Sequence, residues 1–176
     1  MTTKTEFTCI KMSCQDHIGT ITINRPDVLN AFNDAFSGEF IAALKQAARD
    51  PEVRVVVITG AGRAFSSGQD LGDLEAKYVP GHVPALGADL KKRYDPWVKL
   101  IRTMDKPVIA AVNGVAAGAG CSLALACDMR IASEHAKFIE VFVNVGLVPD
   151  SGSTWTLPRL VGLGRAMELC LSGRPV

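Results

Sequence analysis

The segment Pro107–Met129, PVIAAVNGVAAGAGCSLALACDM, limits what this chain can fold into more than any other stretch. A strand-like apolar run, Val108 to Val112, leads through Asn113-Gly114 to Gly118-Ala119-Gly120, and Cys121 to Cys127 then has the composition of a buried helix. A strand that feeds a glycine-rich turn and then a helix leaves the first helical N–H groups without intrahelical acceptors. Those donors, aided by the helix dipole, can hold an anion or a developing oxyanion. The small residues let a ligand approach the backbone, or let the helix pack closely on the sheet. The segment also begins like a dinucleotide fingerprint. Leu123 stands where the third glycine belongs, however, and no convincing acidic partner follows about 20 residues on, so a NAD site is rejected.

Upstream, Phe7–Cys14 and His17–Asn24 alternate in polarity around Gln15-Asp16, the pattern of an antiparallel hairpin. Phe36, Phe40, Ala43, Leu44 and Ala47 recur at helical spacing between a capping Asn33 or Asp34 and Asp50-Pro51, which predicts a helix over 34–49. Arg54–Thr59 is a β-branched run that reads as a strand buried on both faces. It opens into the glycine- and serine-rich loop Gly60–Asp70, at the strand end where open α/β folds place ligands.

A short helix over 71–78, a surface loop over 79–87 and a helix over 88–104 with lysine and arginine on its wet face follow. Beyond the central segment, 129–132 and 136–139 read as short strands, 144–153 as a loop carrying Asp150, and 163–171 as a helix. A chain that ends five residues after that helix reads as one domain, residues 1–176, lacking a closing segment, with apolar surface exposed between Leu163 and Leu171.

A chain of 176 residues with 48% apolar and 21% charged residues is globular and large enough for one sizeable core. Its net charge of +1 offers no electrostatic case for a nucleic acid or membrane partner. There is no apolar run long enough to span a bilayer, and MTTKTEF lacks the core of a signal peptide. The five cysteines form no C-x-x-C pair, which predicts free thiols in a reducing cytoplasm and no metal site.

Four segments, NRPDVLNAFN, VVVITGAGRAFSSGQDL, KPVIAAVNGVAAGAGCSLALACDMRIAS and AKFIEVFVNVGLVPDSGSTWTLPRLVG, resemble the crotonase superfamily, the enoyl-CoA hydratase/isomerase group, in the family's order. GAGRAFSSGQDL, NGVAAGAG and GLVPDSGSTW are most similar to its branch that isomerises ring epoxides of phenylacetyl-CoA. The resemblance implies an α/β fold, a spiral of ββα units, with a thioester of coenzyme A as substrate and not as a separate cofactor. It also implies a homotrimer or a dimer of trimers.

The same resemblance makes the N–H groups of Ser67 and Ala119 the expected oxyanion donors and Asp150 the acid/base. Ser67, Gly68, Gln69, Asp70, Ala119 and Phe142 are expected along the acyl and pantetheine path, with Leu29 and Ala31 near the nucleotide. Where hydratases of the family carry two glutamates, this chain has Ser122 and Phe142, which argues for isomerisation over hydration. A hydratase using nearby Glu140, a dehalogenase with Asp150 as nucleophile and His82 acting on water, and an inert CoA-binding protein are the alternatives.

Overall fold

The hairpin forms from β1 (Ile10–Gln15) and β2 (Ile18–Ile23), paired antiparallel. Its turn is Asp16-His17, one residue later than the sequence pattern suggests. Both residues take positive φ (50° and 65°), the twist that suits a two-residue hairpin loop. The computed structural model describes residues 7–72 and 85–176. The helix expected over 71–78 therefore falls largely outside the described residues, as do most of the loop expected over 79–87 and His82 within it.

After β2 comes α1 (Asp34–Arg49), with the expected bounds, its start capped by the Asn33 side chain accepting from the Phe36 N–H. The chain then repeats one pattern. A strand joins the large sheet, a three-residue strand joins a small one, and a helix follows. β3 (Val55–Gly60) and β4 (Ala64–Ser66) open the first repeat. Its helical segment includes α2 (Leu86–Asp89), a π-helical turn (Leu90–Tyr94) and α3 (Asp95–Thr103).

β5 (Val108–Val112), β6 (Val115–Ala117) and α4 (Ala119–Ala126) form the second repeat. The third is β7 (Met129–Ala132), β8 (Lys137–Ile139) and α5 (Ser153–Val161), followed by α6 (Leu163–Ser172). The large sheet has the order β1-β2-β3-β5-β7, parallel from β2 onward, and the small sheet β4-β6-β8 is parallel throughout. This is the spiral of ββα units that the resemblance implies.

The main core lies between the large sheet and the helices. Phe32 stacks on Phe36 with ring centroids 4.3 Å apart, and Trp97 from α3 meets Phe32, Phe40 and Tyr94 edge-on. Two expectations need correcting here. On β3 only Val56, Ile58 and Gly60 are fully buried, whereas Val55, Val57 and Thr59 are half-buried, so one face is less covered than the β-branched run suggests. Arg93 is buried inside the helical segment instead of lying on its wet face. Its guanidinium meets Asp34 at 2.9 Å and donates to the Phe32 carbonyl.

A second, smaller core joins Cys121 and Leu125 of α4 to Leu157, Ala166 and Leu169. Leu163, Met167 and Leu171 on the opposite side of α6 are exposed, as expected. Val176 exchanges two backbone hydrogen bonds with Phe138, at 2.8 and 3.0 Å, and so lies alongside β8.

Candidate active site

Two glycine turns meet at the carboxyl ends of the parallel strands. One is Ser66–Asp70 after β4, and the other is Gly118-Ala119 between β6 and α4. A Cβ placed on Gly68 would lie 2.6 Å from the Ala117 carbonyl and 3.1 Å from the Ala119 nitrogen, so the two turns touch backbone to backbone. Only a residue without a side chain permits that approach. Both glycines take positive φ, 89° at Gly68 and 51° at Gly118, which turns the peptide that follows out of its strand direction.

Backbone accounting then identifies the available donors. The N–H of Ser67 is bonded to the Leu29 carbonyl at 2.9 Å, that of Gly68 to the Ser66 hydroxyl, and that of Asp70 to the Phe32 carbonyl. Among the described residues nothing accepts from the N–H of Gln69 or of Ala119. The assignment of Ser67 as a donor is therefore corrected, because its N–H holds the loop to Leu29. The free pair is Gln69 and Ala119, each one residue after a positive-φ glycine.

The segment Leu29–Phe32 is the brace for this loop. Leu29 and Asn30 take positive φ, and the buried Asn30 amide donates to the carbonyls of Ala61 and Ala64 while its oxygen accepts from the Arg25 N–H. Arg25 also donates to the Ala31 carbonyl and pairs with Asp70 at 2.9 Å. Leu29 and Ala31, expected near the nucleotide, and Asp70, expected along the acyl and pantetheine path, are thus engaged through their backbone or carboxylate in holding the loop. The Gln69 side chain accepts from the Tyr94 hydroxyl, which reaches it from the π-helical turn. Such turns recur at functional sites.

Asp150 opens the tight turn Asp150-Ser151-Gly152 before α5. Ser151 and Gly152 both have positive φ, and Gly152 packs against Val98 of α3. The Asp150 carboxyl is half-buried, and burial raises its pKa against the opposing hydrogen bond from Ser151. Burial also pushes the Tyr94 hydroxyl up, against the lowering effect of the Arg93 guanidinium, with the negative charge of Asp150 adding to the rise.

Of the residues at the two hydratase-glutamate positions, Ser122 is buried with its hydroxyl given to the Gly118 carbonyl, and Phe142 is a buried ring near Gly118. Glu140 is buried too, and burial raises its carboxyl pKa against the hydrogen bond from Ser153 and the neighbouring Cys121 thiol, with Asp150 raising it further. Trp97 is wholly in the core, and Trp155 is exposed under the Arg159 guanidinium. A concavity of about 530 Å³ lined by Cys14, Asp16, His17, Asp50 and Glu52 lies at the opposite, amino-terminal end of β2 and β3, away from these groups.

The model of the enoyl-CoA hydratase/isomerase family matches residues 13–176. The chain is 49% identical over 154 residues to the 1,2-epoxyphenylacetyl-CoA isomerase of Escherichia coli, covering 88% of this chain and 58% of that protein. It is 46% identical over 162 residues to the "Probable enoyl-CoA hydratase" of Rhodobacter capsulatus, covering 92% and 60%. The crystal structure of an enoyl-CoA hydratase from a Polaromonas species superposes with a TM-score of 0.87 at 40% identity, covering 95% of this chain and 64% of that one. The chain thus spans about three-fifths of the length of these relatives. With a family match over nearly all of its residues and identities of this size, the chain belongs to the enoyl-CoA hydratase/isomerase family, the crotonase superfamily.

Proposed function

We propose that this protein is an acyl-CoA isomerase that works through a thioester enolate. The N–H groups of Gln69 and Ala119 converge on the thioester oxygen, and Asp150 takes a proton from one carbon and returns it to another. Two donors that no described protein group engages give up only solvent when the oxygen arrives, and each is worth about 3 kcal/mol in the transition state. A carboxylate whose pKa is raised is a stronger base than an ordinary aspartate, which suits proton transfer from carbon.

The observation that carries isomerisation over hydration is the state of the other candidate groups. Ser122 and Phe142 carry no carboxylate, and one Glu140 oxygen is taken by Ser153. Asp150 alone is half-exposed. Adding water across a double bond requires one group to activate the water and another to protonate the carbon. Shifting a double bond, or rearranging a ring epoxide, needs only a proton shuttle beside a polarised thioester.

The relative named for 1,2-epoxyphenylacetyl-CoA supports a ring epoxide of phenylacetyl-CoA as substrate, with a β,γ-enoyl-CoA as the alternative. The exposed apolar residues of α5 and α6 support assembly as a homotrimer or dimer of trimers. One observation favours hydration instead. Ser153 donates its hydroxyl to Glu140 and its N–H to the Asp150 carbonyl, so two carboxyl-bearing residues meet at this turn. Asp150→Asn separates these readings from an inert CoA-binding role. The variant should lose isomerisation while binding an acyl-CoA within a few-fold of wild type, whereas unchanged turnover contradicts the role given to Asp150.

A further inference from the structure

Glu140 is used by no step above, yet it occupies a singular place between the two turns that carry the proposed chemistry. It directly follows β8, whose last residue, Ile139, accepts a backbone hydrogen bond from Gly118 at 2.9 Å, so its main chain adjoins the turn that presents the Ala119 N–H. Its side chain leads the other way. Oε1 accepts from the Ser153 hydroxyl at 2.8 Å, and Ser153, itself fully buried, donates its own N–H to the Asp150 carbonyl at 2.9 Å.

Between Asp150 and Ser153 lie two consecutive positive-φ residues, Ser151 (50°) and Gly152 (83°). A serine in that conformation is strained and persists only where its surroundings hold it. Oε2 of Glu140 is buried with no hydrogen-bond partner among the described residues, although the Cys121 thiol lies beside it. A carboxyl that is 2% exposed and half-satisfied is costly in a core.

We infer that Glu140 is a positioning residue that ties the Asp150 turn to the Ala119 turn through Ser153, setting where the acid/base stands relative to the oxyanion donors. The inference rests on the acid/base reading of Asp150. It differs from a plain structural role in needing only the acceptor atom and not the charge. Glutamine supplies that acceptor, and leucine does not.

The test compares Glu140→Gln, Glu140→Leu, Ser153→Ala and the Leu/Ala double variant in the intact protein. The readouts are kcat and KM on a β,γ-enoyl-CoA and hydrogen–deuterium exchange of the peptide spanning residues 150–153. Glu140→Leu and Ser153→Ala should each lower kcat by about 10- to 100-fold through misplacement alone. KM should stay within a few-fold, as for an interaction felt in the transition state. Both variants should exchange faster at 150–153. The double variant should fall no further than the worse single, because the two residues form one link. Glu140→Gln should restore kcat to within a few-fold and slow the exchange again.

Unchanged exchange in both Glu140→Leu and Ser153→Ala overturns the inference whatever happens to the rate. Faster exchange with unaltered kcat also overturns it, provided Asp150→Asn is inactive. An active Asp150→Asn sinks the acid/base reading on its own evidence, and faster exchange then shows a hold on the turn but none on catalysis, which overturns the inference as well.

Discussion

At Asp150, burial sets the direction of the pH response. A base must be ionised to accept a proton, and this carboxyl is held above the ordinary aspartate range, so kcat/KM should rise with pH through a pKa higher than that of an exposed aspartate. A pH–rate profile measures the limb directly, and Asp150→Glu should move it. Glu140 gives a stability effect of determinate sign. Its folded pKa is raised, so the native state keeps a proton that the unfolded chain releases. That cost is absent below the unfolded carboxyl's pKa of about 4.3 and grows as pH rises from there to the folded value. Glutamine carries no such cost, so the melting temperature of Glu140→Gln relative to wild type should climb as pH rises above about 4.3.

At the oxyanion turn, Gln69→Ala keeps the backbone donor and should retain most activity, whereas Gln69→Pro removes it and should cost about 100-fold or more in kcat. Steady-state kinetics on the two variants separates side chain from backbone. Ala119 was legible as a donor from its place at the start of a helix. Gln69 was not, because the sequence gives no account of which loop N–H is already bonded. The physical signal is the glycine before each donor. Gly68 and Gly118 rotate the next peptide toward the site, while Ser67, one residue before Gly68, still faces Leu29.

Elements with strong periodicity and clear ends were legible. α1 has the expected bounds because five apolar residues share one face and Asn33 caps it. Asn33→Ala removes that cap and should cost about 1 kcal/mol, a fall of roughly 2–4 °C in Tm, checked by thermal unfolding. The three-residue strands β4 and β6 are too short to show alternation, and α5 is broken in sequence by Pro158 between Gly152 and Gly162. The π-helical turn left no periodic trace either. One extra residue per turn brings both Arg93 and Tyr94 inward, one to Asp34 and the other to Gln69. It is tertiary contacts, not local propensity, that decide such a turn.

Across the whole molecule, the repeats deliver one turn apiece to a common end. β4 brings Gln69, β6 brings Ala119, and the turn after β8 brings Asp150, with the π-helical turn beside them. The order of motifs along the chain made this spiral legible. The proposed trimeric assembly would cover the faces exposed by Trp155, Leu163, Met167 and Leu171, and on that proposal sedimentation velocity on the intact protein should give a trimer or its dimer and not a monomer. The central claim is that one carboxylate moves a proton beside a polarised thioester and no water is added. Incubation with a β,γ-enoyl-CoA in heavy water, read by mass spectrometry, tests it most directly. The account predicts an isomerised product whose only gain in mass is deuterium exchanged for hydrogen. A product heavier by a whole heavy-water molecule would contradict it and make the protein a hydratase.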